Sequence, residues 1–297
     1  MDNDKLESSV IKLAIENEKD TLKTISSILL IHRDYRRKLK EELSYHLQKY
    51  LNYNDNRVDY NSLMLPLGFK EINEYKKRVK EMEQRAKGSY YIEHWLNKAK
   101  RKRPKNRLQA ILFYISFSLT FFSQEWLELS EWLLDGIAEK TFDHYLTLRG
   151  ESANTPEPHI MDTEWNDGYS SKSVKDRIID NNDKVIMVIA LMLEREMIIN
   201  QTINDLNKII DKRLNVQEND IRRHMETYNT LATNKGLLLA YAHLGKCLKH
   251  VSVLDNRTTD LCRSRDGVIF PVTDAVFGVT IPPIHYHCRS IVVEVDC

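Results

Sequence analysis

Glycine and proline are scarce in this chain of 297 residues, nine and seven respectively. The prolines fall only at 66, 104, 156, 158, 271, 282 and 283. An interior proline disrupts a helix by about 3 kcal/mol, so the proline-free runs 1–65, 67–103, 105–155 and 159–270 are each open to long helices. Cysteine is scarce as well, and the four present, with no charged-then-apolar leader before them, do not form the pattern of a secreted disulfide framework. Synthesis in the reducing cytoplasm is the expectation. Excess charge is missing: 44 basic residues face 43 acidic ones. No global field therefore draws the chain to nucleic acid or lipid, and any such contact must come from a local patch.

Long hydrophobic runs are missing too. The segment that tests the membrane question, LQAILFYISFSLTFF from Leu108 to Phe122, follows a basic run and is diluted by Gln109, Ser116, Ser118 and Thr120. As a helix it rises about 22 Å, short of a hydrocarbon core of about 30 Å. A buried or partner-facing helix is expected there, and no membrane contact. A hydrophobic content of 42% is enough to build cores.

What is present is helical periodicity. Leu39, Leu43 and Leu47 recur every four residues, with Leu22, Ile25 and Ile28 upstream. The Asn- and Asp-rich stretch 52–61 reads as a loop. A second helix should start near Phe69 and run through KEINEYKKRVKEMEQRAK, with Glu74 and Arg78 placed to pair across one turn. After Pro104 a long apolar helix or helix pair, containing Trp126 and Trp132, extends to about Leu148. The Gly, Pro and Asn of RGESANTPEPHIMDTEWNDG, Arg149 to Gly168, predict a linker and a boundary. Beyond it VIMVIALML, Val185 to Leu193, is apolar all round, and such a helix is covered on more than one side by its own domain or another subunit. Further helices are expected over 196–214 and 218–242.

After Gly245 the period changes. KHVSVL alternates, DGVIF offers an Asp-Gly turn leading into a strand, and SIVVEV is a further strand candidate. The fold class is thus mainly α, with long helical N-terminal and middle regions, 1–150 and 151–244, and a small α+β module, β-rich, over 245–297. A module that small gains from a metal, a disulfide or docking onto helices.

That module holds the residues most able to do chemistry. Cys262, His285, His287 and Cys288 supply the thiolate and imidazole donors that zinc prefers, and a tetrahedral site needs four. His285 and Cys288 are spaced to share one side of a site, whereas Cys262 lacks a cysteine three residues earlier, where Thr259 stands. The alternative is a buried free thiol with a histidine that hydrogen-bonds the module together. A zinc deaminase is excluded because neither half of its signature is present. A divalent-metal nuclease or toxin could use Asp266, His285 and His287, although Asp266 before Gly267 is more simply a turn pair. Nothing in the spacing singles out a cysteine nucleophile. Seven basic residues lie between Lys98 and Arg107. Of these, Lys100, Arg101, Lys102, Arg103, Lys105 and Arg107 are the candidates for gripping DNA phosphates, the other reading being a solvated helix end.

At these residues a family comes into view. DNRTTDLCRSRDGVIF followed by GVTIPPIHYHCRS resembles the C-terminal signature of the Mu F-like head morphogenesis family, the minor head proteins of tailed phages. Its pattern falls on Asp255, Arg257, Thr258, Cys262, Arg263, Asp266, Gly267, Phe270, Pro282, Pro283, His285, Cys288 and Arg289. Upstream, WNDGYSSKSVKDRI and IRRHMETYNTLA are similar to further family segments, with His224 and Met225 departing from the usual pattern before Glu226 and Thr227. Many members carry cysteine where Thr259 stands, and Pro-Asn where this chain has Tyr286 and His287. The resemblance implies a virion component and not an enzyme. Such a protein is incorporated with the portal during head assembly, lies inside the capsid, and is tied to DNA packaging or delivery. Its implied partners are the portal, a capsid or scaffolding protein, and packaged DNA.

Overall fold

The computed structural model describes residues 3–52, 55–100, 103–199, 201–241 and 247–297. Among them are eight α-helices and two small antiparallel sheets, so the chain is mainly α with a small α+β module near its C-terminal end. The helices are α1 (Asn3–Leu47), α2 (Tyr60–Met64), α3 (Phe69–Ala86), α4 (Tyr90–Lys100), α5 (Arg107–Arg149), α6 (Val174–Ile198), α7 (Ile203–Tyr241) and α8 (Asp260–Arg265). The strands are β1 (Glu164–Asn166), β2 (Ser171–Ser173), β3 (Cys247–Val251), β4 (Ile269–Pro271) and β5 (Ile291–Val295).

The long proline-free runs do become long helices. Helix α1 extends 45 residues because a buried stripe recurs at three- and four-residue steps, from Leu6, Val10 and Leu13 to Leu39, Leu43 and Leu47. Leu22, expected in that stripe, lies outside it at 43% exposure, and the buried places near it belong to Asn17 and Thr21. Helix α3 begins at Phe69 as expected, its first turn closed by Glu71, whose carboxylate accepts the Gly68 amide at 2.7 Å. Arg78 pairs not with Glu74 but with Glu42 of α1 at 2.7 Å. Helix α5 is one helix of 43 residues, not a pair. The two helices expected over 196–214 and 218–242 are likewise one, α7, which starts at Ile203 after α6 ends at Ile198.

The residues form two compact units: Met1–Ile28, Glu128–Ile178 and Asn219–Cys297 in the first, Leu29–Leu127 and Ile179–Glu218 in the second. In the second unit Leu39, Leu43 and Leu47 join Ile111, Ile115, Ile189 and Leu193 in one apolar core. The segment Leu108–Phe122 is part of this packing, and no described helix is long and apolar enough to cross a membrane. Helix α6 is covered on one side only: Val185, Ile186 and Ile189 are buried, whereas Met187 and Leu191 are more than half exposed.

In the first unit the C-terminal sheet runs β4-β3-β5, antiparallel throughout, with Leu248 opposite both Phe270 and Glu294. Gly267 completes the expected Asp-Gly turn at φ 79°. A disulfide joins Cys247 at the start of β3 to Cys297, closing a separation of 50 residues. The sheet packs on the unit's helices, where Leu248, Val251 and Ile291 share a core with Leu6, Phe142 and Leu237. Helix α7 also binds strand β5 through polar side chains. Asn234 donates to the Ser290 carbonyl at 3.2 Å and accepts the Val292 amide at 2.9 Å, while the Tyr241 hydroxyl donates to the Val292 carbonyl at 3.2 Å.

Candidate functional site

Helix α8 exists because Thr259 caps it, its hydroxyl accepting the Cys262 amide at 3.3 Å. The cap places Cys262 on the inner face of the short helix, where it is buried. The turn after Pro283 returns His285 and Cys288 to the same point. Cys262 Sγ lies 3.8 Å from Cys288 Sγ and 3.0 Å from His285 Nε2. The three donor atoms all fall within 4.8 Å of one another. With zinc–sulfur bonds of about 2.3 Å, two thiolates on a tetrahedral ion sit about 3.8 Å apart. The sulfur pair is therefore already at the edge length of such a site.

The orientation of the imidazole points the same way. His285 Nδ1 lies 2.6 Å from the Tyr286 carbonyl oxygen, which can only accept, so that nitrogen carries a proton and Nε2 turns toward the sulfurs. The hydrogen bond from Cys288, with that from His285, pulls the Cys262 thiol well below its usual pKa. His285 is raised, chiefly by its bond to Cys262. Cys288 is raised by its hydrogen bond to Cys262 and by burial, against the amides of Ile284 and Ser290. The three donor atoms face one another, and a bound cation would displace the protons that they share.

His287 does not join them. Its backbone is left-handed at φ 60°, its amide donates to Thr227 Oγ1 at 2.9 Å, and its Nδ1 meets Glu226 Oε2 at 2.7 Å. Asparagine, the family's usual residue there, and histidine are among the few side chains that tolerate this conformation. The position is thus occupied for its turn, with Glu226 and Thr227 as its clamp. Thr259 Oγ1 instead stands beside the cluster, 3.0 Å from His285 Nε2, at the position where many family members carry cysteine. Sequence spacing alone did not place Thr259 beside the cluster. A second residue it missed is His250 on β3, fully buried with neither ring nitrogen hydrogen-bonded among the described residues; burial lowers its pKa while the neighbouring Cys262 acts in the opposite direction.

The remaining motif residues knit the cluster's surroundings. Asp255 accepts Arg289 at 2.6 Å and the Arg257 amide at 2.9 Å, which brings the two halves of the motif together. The same bonds, Arg289 first, hold the Asp255 carboxyl at a pKa of about 2. Thr258 binds the Val253 carbonyl and Asp255, and Arg257 reaches Glu18 at 3.6 Å. Asp266 accepts the Ser252 amide at 2.8 Å, a turn function. Pro282 and Pro283 are joined by a cis bond, and the Pro283 carbonyl accepts the indole N–H of Trp165 at 2.6 Å. Trp165 belongs to the β1–β2 hairpin, where only a linker was expected. Arg177 lies over its ring and donates to Asp167 and to the carbonyls of Trp165 and Ser170 at 2.6–2.8 Å.

These segments are what the comparison with known families finds. Residues 188–293 match the family described as Phage Mu protein F like protein. Over that span the chain is similar to this family. No curated protein and no solved structure gives a significant match. The matched Mu F-like span holds the complete Cys/His cluster and most of the motif; the Trp165–Arg177 hairpin that braces it lies just ahead.

The basic candidates lie elsewhere, in the second unit. Arg107 is committed internally, to Glu71 at 2.8 Å and the Tyr50 ring at 5.3 Å, and Lys100 pairs with Glu83. Arg103 and Lys105 are exposed, and Arg101 and Lys102 lie outside the described residues.

Proposed function

We propose that this chain is a phage minor head protein, incorporated with the portal as the head assembles, held inside the capsid, and engaged in DNA packaging or delivery. The observation that carries the reading is the Mu F-like match over residues 188–293. The geometry agrees with a structural role: motif residues are spent on one another, as Asp255 on Arg289 and Trp165 on Pro283. The crevice beside Cys262 and His285 is about 10 Å³, room for no more than about one water. A nuclease would have to admit a phosphodiester there, and Asp266 is already engaged with Ser252. Mass spectrometry of intact particles from the source phage tests the head role. A few copies per particle is the expected result; absence from otherwise complete particles would overturn it.

Within this reading Cys262, His285 and Cys288 hold a metal ion, zinc by the chemistry of the donors, and the ion clips α8 to the 285–288 turn. The three side chains orient the ion and exclude water; the ion supplies cross-linking and no reaction step. Metal analysis should find about one equivalent in the wild type and none in Cys288→Ser. Equal, near-zero content in both proteins would refute the metal. Thr259→Cys should add the missing thiolate and tighten zinc binding at least about tenfold in a chelator competition.

A further inference from the structure

Helix α3 and the chain around Pro104 enclose a groove of about 670 Å³, within the range of a binding site. Its α3 wall is a single face, since Ile72, Lys76, Val79, Lys80 and Glu83 follow one another at helical spacing. Leu67, Ile72, Val79 and Pro104 give the lining its aliphatic patches. Among the described residues that line it, four cations, Lys76, Lys80, Lys100 and Arg103, stand against one acid. That acid, Glu83, is paired with Lys100. Lys76, Lys80 and Arg103 are exposed, and their charge is not compensated by any ion pair among the described residues.

The lining decides between two anionic occupants. A single nucleic-acid strand needs aromatic faces for its bases as well as cations for its phosphates. The one aromatic ring among the described residues that line the groove, Tyr75, is already packed edge-on against Phe113 at 5.3 Å and tilted against Tyr114 at 6.3 Å. Aliphatic walls instead suit the apolar ridge of a helix, with anchors one turn apart. We infer that this groove receives an acidic amphipathic helix from a partner protein. The apolar ridge lies along Ile72 and Val79, and the flanking carboxylates meet Lys76, Lys80 and Arg103. The assignment stands on charge and shape and does not depend on the head role.

The test uses the full chain and three probes: a labelled synthetic helix of about 18 residues with leucines along one face and glutamates beside them, the same peptide with lysines for glutamates, and an oligothymidylate of about 20 nucleotides. The acidic peptide should bind at least about tenfold more tightly than the basic one, and lose at least about tenfold in Lys76→Glu/Lys80→Glu, which keeps the wild-type circular dichroism. The peptide comparison on wild-type protein decides the matter even if the double variant misfolds. Equal binding of the two peptides, no loss in a folded double variant, or displacement of the peptide by a tighter-binding oligothymidylate would overturn the proposal, the last by giving the groove to nucleic acid.

Discussion

The core that gathers Leu39, Leu43 and Leu47 and the knot that gathers Trp165, Arg177, Cys262 and Cys288 are held by different physics. The first is built from many interchangeable aliphatic contacts, each worth little and none directional. The second uses few contacts, nearly all with a required donor, acceptor or backbone conformation. A core of the first kind should tolerate exchange of one apolar residue for another of similar volume. One of the second kind should fail when a single atom is misplaced.

The sharpest way to break the comparison is Gly278→Ala. Gly278 has φ 85°, and an added Cβ would collide with the Asn166 backbone of the β1–β2 hairpin. We expect a loss of about 4 kcal/mol in urea unfolding. Gly267→Ala has a similar φ of 79° but open space around it, and should lose only about 1 kcal/mol. Equal losses at the two glycines would mean that the hairpin contact contributes nothing.

Next in size is the disulfide. Cys297→Ser removes a closure over a sequence separation of 50 and should cost about 3 kcal/mol, read as a lower unfolding midpoint, with one new alkylatable thiol at Cys247. The third test is a matched pair of conservative exchanges. Arg177→Lys keeps the charge but cannot satisfy Asp167 and two carbonyls together, and should lose about 2 kcal/mol. Leu43→Met keeps volume in the aliphatic core and should lose about 1 kcal/mol. The reverse order would remove the distinction between the two regions.

The smallest effect belongs to Asp255 and Arg289. With the folded carboxyl at about 2, below its usual 3.8, their contribution is complete above about pH 4 and disappears as pH falls through about 2. In Arg289→Gln an NMR titration should find the Asp255 carboxyl moved back up toward its ordinary range. An unchanged titration would show that the turn amides, not Arg289, hold it down.

The same contrast explains what was legible in the sequence. Helices α1, α3 and α5 could be read because their burial repeats locally, and the start of α3 at Phe69 follows from Pro66 and Gly68 just before it. Strands β3, β4 and β5 announced themselves by alternation and by the Asp-Gly turn. The donor types at Cys262, His285 and Cys288 were legible, but the fourth neighbour was not, because Thr259 reaches the cluster through the cap of a six-residue helix that no periodicity signals. Leu22 and Glu74 were misplaced for a related reason: tertiary neighbours, Asn229 on Thr21 and Glu42 on Arg78, settle what local spacing leaves open. The hairpin around Trp165 was read as linker because its three-residue strands take their order from Arg177 and Pro283 and not from their own residues.

Asn234 has one more consequence. A small sheet exposes a row of unpaired peptide groups along each outer strand, and a second chain can add itself there. Along β5 the side chain amide of Asn234 takes the place of a neighbouring strand's peptide unit, and the Tyr241 hydroxyl caps the next carbonyl. The opposite edge, β4, is only three residues long and ends in Pro271, which has no N–H to offer. This sheet is thus blunted on both sides by side chains and by brevity, which removes it as a template for joining the strands of copies crowded together.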